Sequence, residues 1–377
     1  MKTYLSCLAA ALLAAPGPAL AADAALPDGL YAEFTTPRGA FVCELFADRT
    51  PLTVTNFVAL AEGTHPAAPG QPYYANLRWY RVVPGFVLQS GNPKAPAEEE
   101  LGYAFPDELV PGLRHDAAGV LSMANGGPDT NANEFFVTLA DTTRLNYLHS
   151  VFGRVVRGLE VLPAIQPDDA LAVRILRVGE QARAFRADAE AFRSRAAAAP
   201  RYAGTPEPSA AAHFDDPDRV LPADPPRAKN FNFKLANFER ATGRKIIARV
   251  FARSPAPAED TGPGEYMRAL AGRLGVARTG ILAVYFADES DWRVWVGDER
   301  VADFLGRPVS SADLGEGGAV HDAKDVLFAE VDARAARYAD QARAARGPAN
   351  PLTAADLAKY SVDAMLDLLI FRFEPKR

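Results

Sequence analysis

Short apolar runs punctuated by turn residues fill positions 30–178. LYAEFTT, a Pro37-Arg38-Gly39 break and AFVCELF read as two strands joined by a tight turn. TVTNFVALAEG changes to helical spacing: Phe57, Leu60 and Ala61 share one face, and Gly63 is a stop. WYRVVPGFVLQSG, GVLSMAN, EFFVTLA and VFGRVV follow as strand-like runs separated by Gly, Pro, Asn and Asp. Many short strands with few helices predict a barrel or a sandwich. Inside WYRVVPGFVLQSG, Arg81 stands among valines, a phenylalanine and a leucine. A guanidinium in such a run is usually a surface or edge residue, and the alternative is a chemical role.

The pattern changes after position 180. Residues 181–195 carry Ala, Arg, Glu and Phe at helical spacing, and residues 196–226 are rich in Ala, Pro and Asp, which predicts a semi-rigid linker. From 231 onward helices and strands alternate: FKLANFERATG, KIIARVFA, GEYMRALAGRLG, ILAVYFA and WRVWVG, then mostly helix. Thr353 and Asp356 form a capping-box start for a last helix. Alternating elements predict a layered α/β domain. The expected division is a leader at 1–21, a β domain at 28–180, a helical then Ala/Pro-rich linker at 181–228 and an α/β domain at 229–377.

Composition narrows the class. The 377 residues are 49% hydrophobic with a net charge of −6. That length predicts two domains. No basic stripe is present, which argues against a nucleic-acid partner. Lys2, an apolar run over 4–15 and the small residues Ala19-Leu20-Ala21 read as a secretory signal peptide cut after Ala21. Together with the Ala- and Arg-rich composition it implies export, to the periplasm of a bacterium. No later stretch is apolar for 18 or more residues, so no membrane span is expected. Removing the leader leaves Cys43 as the only cysteine, so no internal disulfide forms and packing must carry the stability. Cys43 reads as a small buried hydrophobe.

Four blocks, FVCELFADRTPLTVTNFVALAEG, WYRVVPGFVLQSG, GVLSMANGGPDTNANEFFVTLA and LNYLHSVFGRVVRGLEVL, resemble in order and spacing the cyclophilin family of peptidyl-prolyl isomerases. The resemblance covers residues 29–179. It implies a closed eight-stranded antiparallel barrel capped by two helices. It also implies that Arg81 is the catalytic arginine, that Phe86, Val87, Phe136 and Leu145 line a proline pocket with His149 at its edge, that Gln89 lies beside the arginine, and that the Asn125 backbone pairs with the substrate chain. His149 reads more readily as a packed, hydrogen-bonded histidine than as a proton carrier. Some positions depart from the family pattern: Tyr80 and Val87 replace a frequent histidine and methionine, Glu134 replaces the usual groove glutamine, and Arg144 replaces a tryptophan that contacts cyclosporin. Glu134 is expected to pair with Arg81 and restrain it, and cyclosporin sensitivity is expected to be weak. DTNANE fails as a calcium loop because Ala140 stands at its twelfth position, and LGEGG lacks the lysine of a phosphate loop.

The segment from KLANFERATG to DWRVWVGDE is similar to the TPM domain family, of which some members are credited with phosphatase activity. Here VGDERVADFLG replaces the family's glycine-rich turn. Asp288, Glu289, Asp291 and Asp298 read as a solvated acidic loop, with a divalent-cation site as the alternative. The sequence therefore predicts an exported, cofactor-free isomerase acting on proline-containing polypeptide clients, with a possible protein partner at the C-terminal domain. A proline-segment binder with little turnover and a C-terminal phosphatase are the competing readings.

Overall fold

The computed structural model describes residues 26–92, 101–202, 204, 207–223, 227–315 and 317–376, so the expected leader at 1–21 lies outside the described residues. The first unit is built on strands β1 (Gly29–Thr36), β2 (Gly39–Leu45), β3 (Leu77–Arg78), β4 (Arg81–Val83), β5 (Val87–Ser90), β6 (Val120–Met123), β7 (Phe135–Thr138), β8 (Val151–Arg157) and β9 (Ala170–Val178). They form one curled antiparallel sheet in the order β3-β9-β1-β2-β8-β6-β7-β5-β4. The count is nine, not the expected eight. The two ends of that order, β3 and β4, are pieces of one stretch, residues 77–83, interrupted at Trp79-Tyr80. The sheet thus curls until its edges meet in a single segment of chain, which leaves few unpaired edge groups.

Period-two alternation places the core. Phe34 and Phe41 face each other across the β1–β2 register and stack with centroids 4.7 Å apart. Helix α1 (Pro51–Glu62) begins with a proline in its first turn and ends at Gly63, whose φ of 74° is left-handed. It buries almost its whole length, and Phe57 packs against Phe135 and Phe152 at 5.4 and 5.2 Å. Cys43 is fully buried beside them, where burial pushes its thiol well up.

The expected linker does not run free. Helices α2 (Gly179–Ala184) and α3 (Ala189–Ala198) return to the first unit, where the Phe192 ring meets His65 at 4.4 Å and Phe105 at 6.0 Å. Tyr202, Phe214 and Leu221 are buried in the core of the second unit, and β10 (Phe214–Asp215) adds a parallel strand to its sheet. Arg249, 3% exposed, donates to the carbonyls of Ala210 and Ala212 at 2.9 Å and staples that segment down. A proline-rich composition reports the scarcity of regular structure, but three well-spaced large side chains suffice to anchor it.

The second unit comprises α4 (Arg227–Thr242), β11 (Ile246–Phe251), α5 (Glu265–Arg273), β12 (Ile281–Phe286), β13 (Asp291–Val296), α6 (Val301–Leu305), α7 (Ala319–Arg346) and α8 (Ala354–Phe373). Its sheet runs β10-β11-β12-β13, the first three parallel and β13 antiparallel. Ile247, Leu282 and Val284 face α5, while Ala248, Val250, Ile281 and Ala283 face the layer of α4 and α6–α8. Covered on both faces, β12 reads as a continuous apolar run and β11 as one broken only by Arg249. This is the expected layered α/β architecture. Thr353 and Asp356 make the expected reciprocal capping box of α8.

The two units pack through buried polar contacts. The Lys234 ammonium, on α4, pairs with Asp367 on α8 and donates to the Arg144 carbonyl at 3.2 Å. Tyr338 donates to Asp367 at 2.7 Å. Glu374 accepts from the Gly112 amide at 2.9 Å, from Arg114 and from the Tyr147 hydroxyl. No helix among the described residues is long and apolar enough to cross a membrane.

Candidate active site

Register assembles the site. Arg81 on β4 lies opposite Gln89 on β5, Gln89 opposite Phe136 on β7, and Phe136 opposite Ser122 on β6. Successive strand residues point to opposite faces, so this cross-strand row shares one face. The alternate row, with Leu88, Leu121 and Val137, is fully buried in the core. One register slip would turn the arginine inward, so core packing is what points it to solvent.

Arg81 is exposed, and its guanidinium donates to Gln89 Oε1 at 2.9 Å. The Gln89 amide nitrogen donates to the Tyr80 hydroxyl at 2.6 Å and to Glu134 Oε2 at 3.1 Å, and Tyr80 donates to the same oxygen at 2.8 Å. Burial, then the Glu134 charge, raises the Tyr80 phenol, which keeps it a donor. The expected Glu134–Arg81 pair is therefore replaced by a relay. Glu134 reaches the arginine through Gln89, and no ion pair joins the two among the described residues. Gly91 permits this: its φ is 107°, and a Cβ there would lie 2.3 Å from the Asn133 carbonyl, just before Glu134.

The apolar side of the site comes from three places. Phe86 follows the turn at Pro84-Gly85, and the guanidiniums of Arg144 and Arg81 lie 4.4 and 5.9 Å from its ring. Leu145 sits on a single 3-10 turn, Thr143–Leu145. Phe136, 4% exposed, is held between His115, stacked at 5.7 Å, and His149, edge-on at 5.5 Å. His149 Nδ1 bonds the Met123 carbonyl at 3.0 Å, and burial lowers its pKa to about 4. It is a packed neutral histidine. His115, between Ser122 Oγ and Asn146 Oδ1 at 2.9 and 3.0 Å, is lowered to about 3 by burial.

Arg81, Phe86, Leu145 and His149 line one cleft of about 1030 Å³, and Asn125 and His149 line a second of about 350 Å³. Asn125 Nδ2 donates to the Leu148 carbonyl at 2.9 Å, tying the two loops together. Gln89 and Glu134 reach the cleft only through Arg81, and Phe136 through His149. Val87 does not line it: the side chain is 2% exposed, in the ladder opposite Val83 and Thr138.

A model of the cyclophilin type peptidyl-prolyl cis-trans isomerase family matches residues 31–180, which hold all nine of these positions. The chain is 42% identical over 132 residues to peptidyl-prolyl cis-trans isomerase-like 1 of Aspergillus fumigatus, covering 34% of this chain and 77% of that protein. The chain belongs to the cyclophilin-type peptidyl-prolyl cis-trans isomerase family. Isomerase CYP18-2 of Arabidopsis thaliana is 39% identical over 153 residues, 38% of this chain and 88% of its own length. Isomerase A of Mycobacterium tuberculosis is 40% identical over 128 residues, 32% of this chain and 70% of its own length. A crystal structure of a cyclophilin-type isomerase from Cryptosporidium parvum aligns with 40% of this chain and 98% of that one, at 28% identity and a TM-score of 0.35.

Outside the cyclophilin block, the four acidic candidates are dispersed. Asp288 accepts from the Ser254 amide and hydroxyl at 3.0 Å, Glu289 lies 3.6 Å from Arg293, and Asp291 accepts from the Trp292 amide at 2.7 Å. Asp298 opens a separate 3-10 turn. Among the described residues, no three His, Cys, Asp or Glu side chains converge as a metal site would need. Sequence reasoning missed the Tyr80 hydroxyl, His115, Ser122 and Asn146. It also missed the C-terminal residues that share the large cleft, since no local pattern signals a contact between distant segments.

Proposed function

We propose that this chain accelerates cis-trans isomerisation of X–Pro bonds in folding or flexible polypeptides outside the cytoplasm, after export directed by residues 1–21. Arg81 is the catalytic group. Phe86, Leu145 and His149 hold the proline ring, with Phe136 packed behind His149, and the Asn125 backbone pairs with the substrate chain. The sheet then counts as the family's closed eight-stranded barrel, with residues 77–83 as one strand. The observation that carries the reading is Arg81: a solvent-facing guanidinium, oriented by the Gln89–Glu134–Tyr80 relay, at the rim of an apolar floor.

The chemistry follows from amide resonance. Isomerisation crosses a barrier of about 18–20 kcal/mol because the C–N double-bond character must be broken. In the twisted transition state the prolyl nitrogen regains its lone pair and becomes an acceptor. A guanidinium aimed at it is stabilising in that state and not in the planar one, and only such differential binding speeds the step. One charged hydrogen bond contributes roughly 1.5–3 kcal/mol, or about one to two decades in rate. Clamping the ring while the carbonyl side rotates supplies more. The second unit, TPM-like in its order of elements, serves as an accessory domain.

A protease-coupled assay on an Ala-Pro-Phe peptide tests the proposal. Catalytic amounts of wild type should accelerate exchange, and Arg81→Ala should lose about one to two decades. Equal near-background rates in both proteins would leave only proline-segment binding.

A further inference from the structure

The large cleft does not belong to the cyclophilin unit alone. Arg81, Phe86 and Leu145 form one wall, and the opposite wall is built by α4, α7 and α8 of the second unit, including Arg227, Lys359 and Asp363. The cleft lining is charged in one sense. Arg81, Arg144, Arg227, Lys234 and Lys359 face it against one carboxylate, Asp363. Lys234 is matched by Asp367, and Lys359 lies 2.7 Å from Asp363. Arg81, Arg144 and Arg227 have no carboxylate partner among the described residues. Glu134 is occupied by Tyr80 and Gln89. Burial lowers the Lys359 ammonium, Asp363 opposes that, and Arg227 and Arg144 each add to the lowering, so both arginines are felt at Lys359. The Arg144 guanidinium lies over the Phe86 ring, 4.4 Å from its centroid, beside the floor where a proline ring would rest.

We infer that the second unit is the other jaw of the substrate groove, and that Arg144 and Arg227 select proline segments carrying Asp or Glu beside the X–Pro pair. This rests on the groove being the isomerase site. Two guanidiniums on facing walls match a carboxylate with fork geometry, and in a partly enclosed cleft their charge is screened less than at an open surface. The same charge repels a segment bearing Lys or Arg, so the discrimination has an attractive and a repulsive part. The Lys234–Asp367 pair holds the jaws in register, since it joins α4 and α8 to the carbonyl of Arg144 itself.

The test uses the full mature chain and three fluorescent peptides with Glu, Ala or Lys next to the X–Pro pair. Affinity is read by anisotropy, and turnover on the same peptides by exchange NMR at substoichiometric protein. The Glu peptide should bind at least about tenfold more tightly than the Lys peptide at low salt, a preference that narrows as salt rises. Arg144→Gln and Arg227→Gln should each cut the Glu-to-Lys affinity ratio by about threefold or more. The ratio is the readout because a general loss of activity cancels from it. Equal affinities within about twofold, a preference that survives both substitutions, or no binding to any peptide overturns the inference. Equal binding with turnover of all three peptides sinks the acidic preference and leaves the isomerase. A Glu preference without turnover of any peptide sinks the isomerase and leaves the cationic cleft.

Discussion

Replacing Lys234 with methionine should cost the protein about 3–5 kcal/mol, the usual result of stranding one half of a buried ion pair. Lys234 and Asp367 side chains are 1% and 0% exposed. Without the ammonium, Asp367 keeps, among the described residues, only the Tyr338 hydroxyl at 2.7 Å and the Thr143 hydroxyl at 3.4 Å, too little to hold a buried charge. The carbonyls of Arg144 and Thr143 lose a donor at 3.2 and 3.5 Å as well. The double variant Lys234→Met/Asp367→Leu removes both charges and should recover most of the loss, to within about 1–2 kcal/mol of wild type. Urea unfolding followed by tryptophan fluorescence reads this directly. Trp292 is 5% exposed in the second unit and bonds Ser361 on α8, whereas Trp79 reports on the first unit. A penalty below about 1 kcal/mol, or equal penalties in the single and double variants, would refute the claim that this pair locks the units.

Further consequences concern the relay and the histidines. Glu134→Ala should lower kcat/KM about 3- to 10-fold by freeing Gln89 and hence Arg81, while Glu134→Gln, which keeps an acceptor, should stay within about threefold of wild type. An alanine variant as active as wild type would remove Glu134 from the site. His65, His115 and His149 are lowered by burial to about 4, 3 and 4. The unfolded chain therefore gains their protons below about pH 6.5 while the folded one does not, and this stability, full above that pH, drains away as pH falls toward 4. Asp107, raised by burial to about 6, acts in the opposite direction, favouring the fold at low pH and losing that contribution as pH rises through 6. These three histidines against Asp107 predict stability roughly 4–5 kcal/mol lower at pH 5 than at pH 7.5, and equal denaturation midpoints at the two values would contradict it.

What was legible in the sequence followed the range of each signal. The hairpin β1–β2, helix α1 and the strands flanking Arg81 are written in periods of two and 3.6 with turn residues between them. Strand β9 was not singled out, because Arg174 and Arg177 interrupt its apolar pattern, although it pairs with all but the last residue of β1. Helical spacing over 181–195 signalled α3 but not its docking through Phe192, and β10 was hidden by composition, since Phe214 is a single anchor in polar surroundings.

The sequence by itself determined which residues build the floor of the site. Arg81 and Gln89 are placed by local alternation, Phe86 by the turn before it, and the hydrophobic pattern leaves one register that keeps Leu88 and Val137 inside. Only the tertiary structure decided who their neighbours are. Glu134 meets Gln89 and not Arg81, because β7 is spliced beside β5 from 45 residues away in the chain. Arg144 meets Lys234 of α4, from 90 residues away, because the buried pair with Asp367 brings α4 and α8 against the 3-10 turn at 143–145. Periodicity records which face of an element is buried, but not what buries it. That partner is selected by long-range packing and by the need to satisfy every buried charge.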